Sequence, residues 1–248
     1  LLHRIQKKFL RENWYQNLAA ANTRVLVIYA GERKEEIIDA FGDILRWDAR
    51  ERSTFESLVL GEQTLVSEGL FYPGSYIVDA HASPERVATM LVERFNDNVT
   101  LRYTPEISQQ VPLQQALIVA SLLEREAYTF EDMRIISGVI WNRLFTDMKL
   151  QLDATLQYAK GSRSYEQYWW PKVVPADKYI DSPFNTYQNK GLPPEPIANP
   201  SGAALLAALN PIDSDCLFYF HNTYGKLYCS KDYAEHISKL KKEYGRGQ

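Results

Sequence analysis

The chain has 248 residues, 45% of them hydrophobic, and a formal net charge of −3. That content supports a substantial core and excludes global disorder, and without a long basic run the charge balance argues against a nucleic-acid binder, which needs a concentrated basic face. No segment reaches the roughly 18 apolar residues that cross a bilayer, and a start at Leu1 rather than Met reads as a trimmed fragment of a longer chain.

Residues 1–21 are expected to form an amphipathic helix carrying Trp14 and Tyr15. "RVLVIYAGERKEEIIDAFGDIL" then predicts a strand over 25–29, a glycine turn and a helix. Such a β-turn-α unit is too small to be stable alone. Residues 48–64 are polar and read as helix with loops. In "SEGLFYPGSYIVDAHASPERVATMLVERFND", aromatic and glycine punctuation precedes a helix with Ser83 as N-cap and Pro84 at its first position. Its apolar stripe is Val87, Met90, Leu91 and Phe95.

The next helix opens near Pro112. Leu113, Leu117 and Ala120 line one side, and Val119, Leu122 and Leu123 fill the other, which predicts a central, buried helix. Thr129 with Asp132 reads as a capping box for a helix carrying Met133, Ile136, Ile140 and Leu144. Asp153 is expected to cap a short helix ending before Gly161. Residues 162–201 have no periodicity and hold "YEQYWWP", "DSPFNTY" and "GLPPEPIANPSG". A stretch this long without structure of its own is disordered or functional, and its aromatic content argues against disorder.

A helix is expected from Asn199 and Pro200 to Asn210 and Pro211. "CLFYFHNTYGKLYCS" predicts a hairpin turning at 222–225, and a helix over 233–244 ends the chain. If His221 faces Lys226, Cys229 faces Phe218 and stands only diagonal to Cys216. Diagonal partners lie about 7–8 Å apart, so a disulfide is not expected. Neither the cysteines nor the histidines have zinc-type spacing.

The chemistry concentrates at "LIVASLLEREAYTF", where Glu124 and Glu126 end the most apolar helix. Burying an ionised carboxylate is costly. Residues two apart on a helix point about 200° away from each other, so the two acids cannot face one cleft alike. One reading is a helix end emerging into water, with Arg125 and Arg134 near enough for ion pairs. The other is a general acid whose apolar surroundings keep it protonated. Helical geometry does not choose between the two glutamates. Asp153 could be a second carboxylate, although capping is its default role. Metalloprotease, serine-hydrolase, P-loop and dinucleotide-binding motifs are absent.

"EGLFYPGSY", "ASLLEREA", "VIWNRLFTDMKLQLDATLQYA", "SPFNTY" and "GLPPEPIANPSGAALLAALNP" occur in that order. Together they resemble the endolytic murein transglycosylases, the YceG-like family. The resemblance implies an α+β fold. It comprises a mainly helical, lysozyme-like catalytic domain with β-hairpin elements over 65–248, preceded over 1–64 by a helix and a small partial LysM-like β-turn-α unit. It also implies a lyase that cuts peptidoglycan glycan strands between N-acetylmuramic acid and N-acetylglucosamine, leaving 1,6-anhydro ends. The family's catalytic glutamate maps to Glu126. Glu124, Asn142, Asp153, Ser182, Asn185, Thr186 and Tyr187 match motif positions expected to line the substrate cleft. Trp169, Trp170 and Tyr165 are candidate stacking surfaces for sugar rings, outside any motif match.

No metal or organic cofactor is implied. The implied partners are glycan strands and, transiently, peptidoglycan synthases. The full-length protein is expected at the bacterial inner membrane, with its catalytic domain on the periplasmic side. A non-catalytic wall-binding or scaffold protein is the alternative. Two departures stand out: Glu195 and Ser201 occupy positions where the family usually has glycine, and Glu195 puts the conformation of its loop in question.

Overall fold

The computed structural model describes residues 22–60, 67–164 and 166–245. The helix expected over 1–21 and the ring of Tyr165 lie outside them. Strand β1 (Thr23–Ile28) leads through a turn at Gly31, whose φ of 81° favours glycine, into helix α1 (Lys34–Leu45). Helix α2 (Ala49–Leu60) follows. Strand β2 (Gly74–Asp79) then pairs antiparallel with β1, Val25 facing Ile77. This strand was not anticipated. It turns Tyr76 and Val78 inward but leaves Ile77 74% exposed, so its apolar residues do not alternate. Helix α3 (Pro84–Asn98) starts as expected, with Ser83 Oγ accepting the Arg86 N–H at 3.4 Å.

These elements close one core around Leu26, Ile37, Phe41, Phe55, Phe71, Val87 and Leu91. The β-turn-α piece, too small by itself, gains its stability from β2, α2 and α3. The folded chain divides into two compact units: the described part of Leu1–Pro105 with Ala198–Ser201, and Glu106–Ile197 with the described part of Gly202–Gln248. This is a division by compactness; the family-based boundary near residue 64 is a separate proposal.

Within the first unit Asn199 is fully buried and bonded on every polar atom. Its Oδ1 accepts the Gly69 and Phe71 N–H groups at 2.9 and 3.0 Å. Its Nδ2 donates to the Glu32 carbonyl and to Glu68 Oε1, at 3.0 and 2.7 Å. The Asn199 N–H donates to the Glu32 carbonyl at 2.9 Å, and its own carbonyl accepts from Gly31 at 2.8 Å. Glu68 also receives the Lys34 N–H at the start of α1, at 3.2 Å. Burial, reinforced by the nearby Glu35 charge, pushes its carboxyl up to about 8.

In the second unit, a short helix α4 (Pro105–Gln110) precedes α5 (Leu113–Glu126), in which every residue from Ala116 to Leu123 is buried. Helix α6 (Phe130–Phe145) opens on the expected capping box, with the Thr129–Asp132 bonds both at 3.1 Å. Helix α7 (Asp153–Gly161) and helix α8 (Gly202–Leu209) pack against α5. Helix α8 starts later than expected, because Asn199 is committed to the first unit and does not serve as its cap.

Among the described residues of 162–201 there is no helix or strand apart from a 3-10 turn at Pro175–Tyr179. The segment is nonetheless fixed. Phe184 packs on Tyr158 at 4.7 Å between ring centroids, and Lys160 pairs with the buried Asp177 at 3.1 Å. A Cβ at Gly161 would stand 2.1 Å from the Trp169 carbonyl oxygen, so only glycine allows this approach. Glu195 is exposed, and neither it nor Ser201 has positive φ, so the loop accommodates both departures from glycine. Among the described residues no helix is long and apolar enough to cross a membrane.

Strands β3 (Phe218–His221) and β4 (Leu227–Ser230) form the expected hairpin, and α9 (Tyr233–Tyr244) follows. The register is one residue away from expectation: His221 faces Leu227, and Tyr219 faces Cys229. Cys216 and Cys229 are joined by a disulfide, with Cα atoms 5.7 Å apart. The expectation of free cysteines fails because Cys216 precedes the strand. Ladder geometry does not fix its position; its carbonyl is held instead by Asn142 Nδ2 at 3.1 Å.

Two outcomes follow for the first unit. Asn199→Ala orphans the buried Gly69 and Phe71 donors and should cost about 3 kcal/mol in urea unfolding. The Glu68 carboxyl, raised above its ordinary 4.5, contributes fully below that pH and progressively less as pH rises toward 8. Stability should therefore fall across that window by at most about 1.4 kcal/mol per pH unit, and Glu68→Gln should flatten the slope.

Candidate active site

Glu126 ends α5, beyond the buried run, and stands half-buried at a cleft of about 480 Å³. The cleft lies wholly within the second unit, lined by residues of α5, α6, α7, α9, the hairpin and the loops holding Gln151, Lys178 and Tyr187. Tyr219, on β3, donates its phenolic hydrogen to Glu126 Oε2 at 2.8 Å. The Ala154 N–H, in the first turn of α7, donates to Oε1 at 3.3 Å. Burial raises the Glu126 pKa. The Tyr219 and Ala154 hydrogen bonds oppose that rise, the Asp153 charge adds to it and the Arg125 charge opposes it. The Tyr219 phenol is itself pushed well up, by burial and by the Glu126 charge.

Asp153 is the first residue of α7, not its cap: Leu152 holds the cap position. Freed from that role, Asp153 stands exposed at the cleft and accepts the Tyr187 hydroxyl at 2.7 Å. Both carboxylates of the cleft thus receive a phenol. The preceding turn has Gln151 in the left-handed region, φ 52°, with its N–H on the Thr186 carbonyl at 3.1 Å. A non-glycine residue there costs of order 1–3 kcal/mol, and here the strained turn sets Asp153 beside Glu126.

The other motif residues hold this geometry from behind. Asn185 is fully buried, its Nδ2 donating to the Lys178 and Ile180 carbonyls at 3.1 and 2.7 Å, and its Oδ1 accepting from Tyr187 N–H at 2.9 Å. Thr186 is buried, with its Oγ1 accepting from Leu152 N–H at 3.0 Å and lying 2.9 Å from Thr155 Oγ1. Ser182 Oγ accepts from Phe184 N–H at 3.3 Å. Asn142 Nδ2 donates to the Ser214 and Cys216 carbonyls at 2.6 and 3.1 Å. Of the motif residues, Glu126, Asp153 and Tyr187 line the cleft, whereas Glu124, Asn142, Ser182, Asn185 and Thr186 do not.

Trp170 also lies outside the cleft lining, with the Arg125 guanidinium 3.7 Å from its ring centroid. Arg134 pairs with Glu131 at 3.8 Å and donates to the Asn210 carbonyl at 2.9 Å.

Sequence reasoning missed Tyr219, Arg143 and Lys178. Arg143 is buried under the cleft, donating through Nε to the Leu217 carbonyl at 2.6 Å. Lys178 stands 4.9 Å from the Tyr187 ring centroid. The available signal for Tyr219 was a tyrosine in a hairpin strand, and it does not name a partner in a distant helix.

A larger hollow, about 660 Å³, lies against α1 in the first unit, lined by Glu36, Asp39, Asp43, Arg46 and Arg52 among others. There Arg52 pairs with Asp43 at 2.8 Å, and Glu36 accepts the Arg33 N–H at 3.1 Å as part of the cap of α1, so these carboxylates serve an ion pair and a helix start. Size alone does not make it the better candidate.

The YceG-like family matches residues 2–242. The chain belongs to the YceG-like family. Among its relatives, the endolytic murein transglycosylase of Bacillus subtilis is 34% identical over 178 residues, 71% of this chain and 48% of that protein. The endolytic murein transglycosylase of Streptococcus pneumoniae is 32% identical over 170 residues, 68% of this chain and 31% of that protein. The chain therefore spans less than half the length of these curated relatives. A crystal structure of a yceG-like protein from Listeria monocytogenes superposes with a TM-score of 0.71 at 31% identity, covering 95% of this chain and 80% of that one. The mixed α+β architecture is that of the YceG-like fold.

Removing the phenol isolates its effect on the acid. Tyr219→Phe deletes a bond that holds the Glu126 pKa down, so a carboxyl-carbon NMR titration should show that pKa moving further up. An unchanged titration would mean that the Tyr219 bond does not act on the carboxyl.

Proposed function

We propose that this chain is the catalytic portion of an endolytic lytic transglycosylase that cuts the β-1,4 bond between N-acetylmuramic acid and N-acetylglucosamine in peptidoglycan. The observation that carries this reading is the Glu126 carboxyl, raised by burial yet still contacted by a phenol, at a cleft. The names of the relatives support the substrate class.

Glu126 begins protonated and gives its proton to the glycosidic oxygen as that bond breaks. The sugar passes through an oxocarbenium-like state. The exposed Asp153 carboxylate, one oxygen fixed by Tyr187, presents negative charge to the cation, and the 2-acetamido group of the substrate shelters its carbon. Glu126, now ionised, keeps the Tyr219 O–H on Oε2. It then takes the proton of the C6 hydroxyl while that oxygen closes onto C1. The acid is regenerated, a 1,6-anhydro end forms and no water is consumed, so one carboxyl serves both steps.

By the same reading the full-length protein works at the inner membrane, on its periplasmic side, beside peptidoglycan synthases. The N-terminal β-turn-α unit corresponds to part of a LysM-like domain.

Glu126→Gln should lower strand cleavage by about a thousandfold with an unchanged melting temperature. Products of the parent protein, read by mass spectrometry, should lack the mass of one water relative to hydrolysed ends. Full activity in the variant, or hydrated ends from the parent, would overturn the mechanism. Binding without any new chain ends would identify a wall-binding protein instead.

A further inference from the structure

Large aromatic side chains on a protein surface are individually unremarkable. Tyr179 and Tyr224 are more exposed than most here, at 81% and 93%, and neither lines the cleft. Tyr233 is different. It is 63% exposed, yet it stands at the cleft that holds the Glu126 carboxyl. Its ring lies 5.8 Å from that of Phe218 and 6.3 Å from that of His236, and Phe218 and His236 are 5.5 Å apart. All three line the cleft. Tyr233 and His236 are one turn apart on α9 and so share a face. Phe218 immediately precedes Tyr219, the residue that contacts the acid.

This cluster is held rigidly. Lys239 of α9 donates to the Cys229 carbonyl at 2.6 Å, and the Tyr244 hydroxyl donates to the His221 carbonyl at 2.7 Å. The disulfide ties β4 to Cys216, and the Arg143 guanidinium lies 5.3 Å from the Phe218 ring centroid. Burial and the charges of Arg143 and Lys239 lower the His236 pKa, which keeps its ring uncharged near neutrality. A fixed, neutral, partly exposed aromatic wall beside a polar acid is the surface that suits a pyranose: the C–H face of the sugar meets the rings while its hydroxyl rim stays among polar groups.

We infer that Phe218, Tyr233 and His236 form a sugar-stacking subsite of the cleft, with Tyr233 as the ring that an N-acetylated glycan strand covers. The inference rests on the proposed glycan-cleaving function for its choice of ligand, but its test does not need turnover. In the Glu126→Gln background, tetra-N-acetylchitotetraose binding is measured by isothermal titration calorimetry, with and without a change at Tyr233. Tyr233→Ala should weaken binding about tenfold, equivalent to roughly 1.4 kcal/mol, and Tyr233→Phe should keep the affinity because the ring, not the hydroxyl, makes the contact.

Equal affinity in Tyr233→Ala would overturn the subsite, as would absence of binding to the Glu126→Gln parent. If the subsite fails while the wild-type protein still produces anhydro ends, the enzymatic reading stands without it. If binding depends on the Tyr233 ring but no ends form, the subsite stands in a non-catalytic glycan binder.

Discussion

A phenol and a carboxyl, separated by most of the second unit in sequence, meet at 2.8 Å between Tyr219 and Glu126. Everything chemical about the cleft depends on the balance struck there. Burial alone pushes the carboxyl toward its neutral form. A donor that strengthens as the group ionises makes the charged form accessible without letting in solvent. In the proposed mechanism Glu126 loses and regains one proton and so needs both states within reach, which the pairing of burial with a phenol favours.

That contact is only as good as the strand carrying Tyr219. The second unit fixes it with side chains directed at backbone carbonyls. Asn142 takes those of Ser214 and Cys216, Arg143 takes that of Leu217, and Lys239 takes that of Cys229. The Asp153 side of the cleft is fixed similarly, by Asn185 and Thr186. Buried amides and hydroxyls are tolerated because they are satisfied, and in being satisfied they lock loops that have no ladder or helix of their own. The motif residues therefore divide into groups that face the cleft and groups that hold the facing ones still.

Local signals in the sequence proved dependable where the relevant physics is local. The capping box at Thr129 and the serine and proline at the start of α3 each act over a few residues, and each appears where expected. The apolar helix α5 was legible because burial on all sides leaves no polar stripe. Strand β2 was hidden because Ile77 points outward between two inward residues, which erased the period-two pattern. The disulfide was hidden by a shift of one residue in the hairpin and by the position of Cys216 outside it. Asp153 differs from its expected role by a single place, cap against first helical residue. The proposed acid could be narrowed to a pair of glutamates by its unfavourable surroundings, and family resemblance chose between them. Its partner phenol could not be read at all, because nothing short-range links residues 126 and 219.

The placement of Asn199 bears on the order of events during synthesis. The first unit is nearly all encoded early, yet the amide that satisfies the Gly69 and Phe71 donors belongs to a segment translated long afterwards. Domains usually fold as they leave the ribosome. Here the early part of the polypeptide can collapse around its core, but it must wait with exposed main-chain donors until Ala198–Ser201 has emerged. A nascent chain halted before that point would be a natural client for chaperones, and cutting the gene at the apparent end of the first unit would yield a product missing its final piece.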